Sequence, residues 1–424
     1  MTEQNRHDEP TDKTDHDAQR KFAIDVVRRL RAAGFESVFA GGCVRDQMLE
    51  IEPKDYDVAT DATPDQVREI FGRRRTLAVG AAFGVIVVLG RKHQGQVEVA
   101  TFRSDAEYSD GRRPDAVVFT DAQSDAKRRD FTINGMFYDP LDDRTIDYVG
   151  GVEDLDRGVI RAIGDPHERL AEDYLRMLRA VRFTARFGFS LEDQTRHAVE
   201  ANAPRIVSVS AERILNELER MLLHSGRRQA VELLLETGLM RHILPELATE
   251  SDNVESFGST LEILDRLTCE TPPPAIAALL LGRLQAGDVE PLGRRLKMSN
   301  HDIARTKWLV ENATQLRTAR RMPHSQLQPI LIHDGIEELL QLFAAIEGAA
   351  QSIDTVRMVR GQLARDRSEL DPEPLIDGGD LKRLGLKPGP LFREILTTIR
   401  NDQLDRVLTT KAAAIAKALR MAGM

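Results

Sequence analysis

Asp55 and Asp57 flank Tyr56 a short way after the pair Gly41-Gly42. The segment predicts a strand, whose alternation would set both carboxylates on one face, about 6.6 Å apart along the backbone. Two carboxylates so placed can share hard divalent cations such as Mg2+, which take oxygen ligands. A two-metal site of this kind clamps the attacking and leaving oxygens of an in-line phosphoryl displacement. The double glycine has no side chain to hold a triphosphate away from the backbone amides. An isolated Asp-x-Asp is ordinarily a solvated turn, so its meaning depends on what surrounds it.

The rest of that segment and four further blocks supply that company. Arg45, near the start of a short helix in GGCVRDQMLEIEPKDYDVATDATP (41–64), can meet phosphate. Asp46 beside it fixes Arg45 or caps. Glu98 lies in VEVATFRSD (97–105), on a strand whose Val97 and Val99 face the other way, and would be a third acid; the alternative is an exposed strand glutamate. The polar stretch 106–119, with Arg112-Arg113, reads as a mobile loop beside the site. In RRDFTINGMFYDP (128–140), Arg128 and Arg129 can meet a triphosphate, and Asp130 can meet sugar hydroxyls or cap a helix. Finally, EDYLRMLRAVRFTARFGF (172–189) predicts a helix on which Asp173 and Arg176 share a face, with Arg179 one turn further. A carboxylate accepts from an exocyclic amine and a guanidinium donates to ring nitrogen or carbonyl. Such a pair accepts cytosine and adenine and rejects uracil and guanine, at about 1–3 kcal/mol per bidentate contact. An ordinary salt bridge is the competing reading.

The elements that must position these groups change texture along the chain. Residues 1–18 read as a disordered tail, and a helix is predicted from Ala18 to Ala33, ended by Gly34. Strands are predicted at 37–40, 56–59, 77–79, 85–89 and 97–101, with a hairpin turn at 93–95 and helices near 44–49 and 64–71. Beyond Gly164, long Leu-, Ala-, Glu- and Arg-rich segments punctuated by prolines predict helices throughout. The fold expected is α+β: a mixed-sheet head over 19–150, a helical neck and body over 151–270 and a helical tail over 271–424, with 371–380 a linker into its last unit. The dipeptides His301-Asp302 and His333-Asp334 lack the companions of a phosphohydrolase metal site.

Composition excludes several classes. The 424 residues carry 30% charged and 41% apolar side chains, ordinary for a folded multidomain protein. Aromatics at 5% argue against gripping single strands mainly by stacking. A net charge of -9 rules out a uniformly basic nucleic-acid binder, although clusters such as Arg73-Arg74-Arg75 and Lys127-Arg128-Arg129 leave room for local footprints. Cys43 and Cys269 are too few for a disulfide framework or zinc site, which fits a reducing compartment. No apolar run is long enough to span a membrane and the polar N-terminus is unlike a signal peptide, so the cytoplasm is the expected location.

The order GGCVRD, DYDVATDATP, VEVATFR, GRRPD, RRDFTING, DYVGGVEDLDRGVIRAIGDP, EDYLRMLRAVRFTARFGF and AERILNELERML resembles the class II tRNA nucleotidyltransferase and bacterial poly(A) polymerase family, of the polymerase β superfamily. The resemblance is dense over residues 20–225 and looser at LKRLGLKPGPLFREIL (381–396), similar to that family's RNA-binding tail. It implies a polymerase β-like nucleotidyltransferase head followed by an all-α neck, body and tail. It further implies that Asp55 and Asp57 hold catalytic Mg2+, with Glu98 beside them, and that Gly41, Gly42 and Arg45 hold the triphosphate. Arg128, Arg129, Asp130 and Asn134 would contact the incoming nucleotide. Glu172, Asp173 and Arg176, with Arg179 in support, would form the protein template for the base, and Arg182 would join the nucleotide-binding residues. Asp147 to Gly151 would be a hinge, and Glu212 and Glu217 structural. The implied partners are tRNA, CTP and ATP, and neither DNA nor a membrane. The full-length stretch between the third and fourth blocks favours complete CCA addition or terminal A addition, and 75–88 resembles the tRNA enzymes more than the polyadenylating ones. The alternatives are a poly(A) polymerase acting on general RNA, a transferase to a small molecule and a non-catalytic RNA-binding protein.

Overall fold

A computed structural model of the chain describes residues 16–105, 117–249 and 251–423. Most of the expected tail and the loop with Arg112 and Arg113 lie outside the described residues. The first helix, α1 (His16–Ala32), buries Phe22, Val26 and Leu30 together with Ala23 and Val27, one apolar stripe at helical spacing. It begins two residues before the predicted start at Ala18, and Gly34 at φ 92° ends it.

Six strands build most of the head: β1 (Ser37–Ala40), β2 (Asp57–Thr60), β3 (Thr76–Gly80), β4 (Val85–Leu89), β5 (Gln96–Thr101) and, after a small separate hairpin of β6 (Arg103–Asp105) and β7 (Val117–Phe119), β8 (Phe137–Asp139). With β9 (Arg144–Ile146) they form one mixed sheet in the order β3-β4-β5-β2-β1-β8-β9. Within this sheet, among the described residues, only the β2–β5 pair is parallel. The turn at His93–Gly95 lies where the sequence puts it, and Leu89 pairs with Gln96 across it. The second acid begins β2, so Asp55 lies in the approach to that strand and not within it as predicted. Pro53 and the buried Tyr56 hold this approach while Asp55 stays exposed.

One sheet face is closed by α1 and α3 (Pro64–Phe71), whose start is fixed by a capping box between Thr63 and Gln66. Val58, Ile86, Val88, Val97 and Val99 pack there with Phe22, Val26, Leu30, Val67 and Phe71. On the opposite face a smaller cluster of Val38, Ala40, Ala59, Phe102, Ala126 and Phe137 brings in α4 (Ala122–Lys127) and covers one end of the strands. Among the described residues, the rest of that face, which carries Asp57 and Glu98, takes no part in that cluster. Between β1 and β2 lies α2 (Gly42–Met48).

After β9 come α5 (Gly151–Arg157), α6 (Pro166–Glu172), α7 (Leu175–Phe187), α8 (Asp193–Asn202) and α9 (Ala211–Leu222). The predicted single helix over 172–189 is therefore two. Asp173 is extended at φ -155°, and its Oδ1 accepts from the Leu175 N–H at 3.1 Å, ending one helix and starting the next.

Contacts divide the chain into a unit of residues 1–217 with 233–243 and a unit of 218–232 with 244–424. The described part of the second unit is helical. Its helix Pro272–Leu280, which includes most of IAALLLGRL, is buried from Pro273 onward. Its last helices enclose a separate core of Ile376, Leu381, Ile395, Ile399, Ala414 and Ala418. His333 stacks on Trp308 at 3.7 Å and its Nδ1 accepts from the Gly335 N–H, a structural use of that histidine.

Candidate active site

Parallel pairing of β2 with β5 sets Asp57 directly beside Glu98, with Val58 and Val99 paired one residue on and turned to the opposite, buried face. Burial, then the charges of Asp55 and Glu98, push the Asp57 carboxyl up to about 7, against the pull of Arg129. Asp57 thus has both other acids as electrostatic neighbours, with Arg129 opposing them. Among the described residues no group of three or more His, Cys, Asp or Glu side chains stands close enough to hold a metal alone. Asp55 and Asp57 offer the one or two carboxylates that Mg2+ typically takes from protein, its other ligands being phosphate and water.

Beside β2, the turn from β1 into α2 is built on Gly41, whose φ of 70° and ψ of -127° suit glycine. A Cβ there would lie 2.9 Å from Arg129 Nη1, so the guanidinium rests against the bare turn. Arg129 is aimed by the buried Asp125, which also takes Arg128: Nη2 donates from Arg129 at 2.9 Å and from Arg128 at 2.7 Å. Burial alone would raise the Asp125 carboxyl, but Arg129 and Arg128 hold it low.

Arg45 lies against Gly42, where a Cβ would be 3.6 Å from its Nη2. It is 4% exposed, with Nε and Nη2 donating to Asp46 Oδ1 and Nη1 donating to Asn134 Oδ1 at 2.5 Å. Its plane lies over Phe187 at 4.8 Å and Phe183 at 5.2 Å. The guanidinium is turned inward under the glycine turn, and Asp46 fixes it as read from the sequence.

Asn134 carries the chain of contacts onward, its Nδ2 donating to Asp130 Oδ1 at 3.0 Å. Asp130 also accepts from the Phe131 N–H and, on Oδ2, from Arg179 Nε at 2.8 Å and Nη2 at 2.6 Å. Burial would raise this carboxyl, yet Arg179 and Asn134 hold it well below the usual carboxylate range. Asp130 is thus a buried brace between the loop after α4 and α7.

On the α6–α7 junction the predicted Asp173–Arg176 pair does not form. Asp173 is held by Arg213 of α9, through Nη2 at 2.6 Å and Nη1 at 3.2 Å. Arg176 pairs instead with Glu172 and with the Arg169 carbonyl, the latter at 2.7 Å. The break at Asp173 rotates its carboxylate off the face of α7, which is why helical spacing misplaced it. Arg182 is likewise committed, its Nε donating to the buried Glu217 at 2.5 Å. Arg213 and Asp125 escaped the sequence reading. Asp125 stands three and four residues before Arg128 and Arg129, a legible spacing; Arg213 is 40 residues from Asp173 and leaves no local signal.

Residues 37–161 match the family model described as Poly A polymerase head domain, and residues 188–250 match that described as a probable RNA and SrmB-binding site of polymerase A. The CCA-adding enzyme of Limosilactobacillus fermentum is 33% identical over 409 residues, covering 93% of this chain and 95% of that protein. The chain belongs to the CCA-adding enzyme family. Its relative from Geobacillus kaustophilus is 34% identical over 384 residues, 89% of this chain and 91% of that one. Among solved structures, the Bacillus stearothermophilus CCA-adding enzyme in complex with CTP matches with a TM-score of 0.77 at 25% identity, over 95% of this chain and 98% of that chain. The Thermotoga maritima CCA-adding enzyme complexed with tRNA shares the fold, with a TM-score of 0.65 at 20% identity over 94% of both chains. The family is one of nucleotidyltransferases, a class that generally uses divalent metal. No helix among the described residues is long and apolar enough to cross a membrane.

Proposed function

We propose that this chain adds CCA to the 3′ ends of tRNA from CTP and ATP, without a nucleic-acid template and with release of pyrophosphate. The observation that carries the reading is the Asp57–Glu98 register pair with Asp55 beside it, facing a glycine turn overlaid by Arg129. Family membership and a CTP-bound relative support the choice of substrate.

Asp55 and Asp57 would hold Mg2+, their oxygen chemistry and the acidic charge around Asp57 both suiting a hard divalent cation. Bound there, the metal neutralises phosphate charge and lowers the pKa of the attacking hydroxyl. Gly41 and Gly42 receive the triphosphate, with Arg129 and Arg128 aimed at it by Asp125. Arg45 and Asn134 support that turn from within. Glu172, Asp173 and Arg176, at the α6–α7 junction, read the base, and Arg179 anchors α7 to the loop after α4 through Asp130. Asp147, which accepts from the Val149, Gly150 and Val152 N–H groups, orders the start of α5 where the hinge was expected. The RNA 3′ hydroxyl attacks the α-phosphate, and alignment of the two substrates supplies much of the rate. The second unit binds the body of the tRNA.

The test is incorporation by the full chain on tRNA lacking CCA, lacking only the terminal A, or complete, with each nucleoside triphosphate singly. C should enter the first, A the second and nothing the third. Long A tracts on unstructured RNA would instead make the chain a poly(A) polymerase.

A further inference from the structure

The sheet face that carries the acids continues beyond them. Strand register runs in one row from Asp57 to Glu98, from Glu98 to Val87 on β4, and from Val87 to Leu77 on the edge strand β3. Ile86 and Val88 are fully buried on the helix-covered face, yet Val85, Val87 and Leu89 on the other face are also apolar and only partly covered. A half-solvated antiparallel strand normally alternates apolar with polar. Here β4 is apolar on both faces, and Leu77 beyond it is 45% exposed. At one end the strip meets the hairpin, where Phe119 stands over Gly84.

The direction of the row decides what meets it. The glycine turn and Arg129 lie on the β1 side of Asp57, and β5, β4 and β3 lie on the other. In-line displacement places attacking and leaving oxygens on opposite sides of the phosphorus. With pyrophosphate leaving toward the glycine turn, the attacking 3′ hydroxyl arrives from the Glu98 side, across Val87 and Leu77. Three strand spacings separate Asp57 from Leu77, about 14 Å, enough for a terminal nucleotide and its neighbour. We infer that the apolar row Val87–Leu77 is the platform on which the 3′-terminal nucleotides of the acceptor RNA lie, base and ribose against aliphatic side chains.

This inference rests on the nucleotidyl-transfer reading above. It is tested on the full chain with Leu77→Asp, which sets a negative charge against the RNA strand on an exposed edge. The expected result is a fall of about tenfold in kcat/KM for tRNA lacking its terminal A, at the lower end of one base contact. The dissociation constant for CTP measured without RNA should be unchanged, and Leu77→Met should restore the RNA term. A benzophenone amino acid at position 77 should crosslink the terminal nucleotides, a readout independent of how the aspartate variant folds. Unchanged RNA kinetics, an equal loss of CTP binding, or crosslinks confined to the tRNA body would overturn the platform. So would a dimer that Leu77→Asp dissociates while RNA kinetics hold, since a second copy would then cover the edge. A wild-type chain inert on every tRNA would remove the function itself and this inference with it, whereas an active wild type with an indifferent Leu77→Asp removes only the platform.

Discussion

Arg213→Met tests whether Asp173, the carboxylate proposed to read the base, works through a brace that only the fold supplies. Asp173 takes two N–H groups from Arg213, and the two side chains are 15% and 22% exposed. Truncating one partner of a fully buried pair costs about 3–5 kcal/mol, whereas an exposed pair contributes under about 1 kcal/mol. An intermediate site gives a loss of about 2 kcal/mol in stability. Asp173 would keep only the Leu175 N–H, which fixes one oxygen and leaves the other free to swing. A base contact of about 1–3 kcal/mol that loses half its orientation forfeits about 1.4 kcal/mol, or tenfold in selectivity. The assay is single-turnover addition to tRNA lacking CCA, with CTP and UTP compared at saturating enzyme. The ratio of their rates should fall about tenfold, with CTP still preferred. A ratio held at the wild-type value while the melting temperature drops would show that Arg213 only braces the fold and that Asp173 needs no fixed direction to read a base.

Three further outcomes follow from the same geometry. Asp57→Asn should abolish incorporation while circular dichroism stays native, since the side chain is only partly buried at the start of a strand; turnover comparable to wild type would contradict its role. Asp125→Asn should raise KM for CTP about tenfold, equivalent to about 1.4 kcal/mol, with a smaller effect on kcat, because it loosens Arg128 and Arg129 without touching the acids; initial-rate titration of CTP measures the split. Acid should expose Asp130: its folded carboxyl is held below the usual range, so its stabilisation is complete above the unfolded value near 4 and declines as pH falls further toward the folded value. Guanidinium unfolding midpoints between pH 5 and pH 3 should therefore fall less steeply in Asp130→Asn than in wild type.

The sequence made the head and its acids legible because the determining signals are local. The apolar run of β4, the alternation in β5, the capping box at Thr63, the glycine at the end of α1 and the double glycine at the β1–α2 turn each act within a few residues. Helical spacing failed where a single residue broke it: Asp173 leaves the helix to cap the next one, and a pair read as three residues apart on one face becomes two pairs with other partners. Arg45, Asp130 and Arg182 each turn inward to partners distant in sequence, which no local spacing reveals.

What the chain determined by itself, then, is the chemistry available and the order of the elements: paired acids, a bare turn, a run of guanidiniums and a helical remainder. Only the tertiary structure decided which carboxylates and amides each guanidinium takes as partners. That choice depends on side chains 35 to 89 residues apart meeting in space, as Arg182 meets Glu217 and Arg45 meets Asn134. It also depends on strand register, since only the alignment of β2, β5, β4 and β3 puts Asp57, Glu98, Val87 and Leu77 in one row. A slip of one residue would turn each of them to the opposite face.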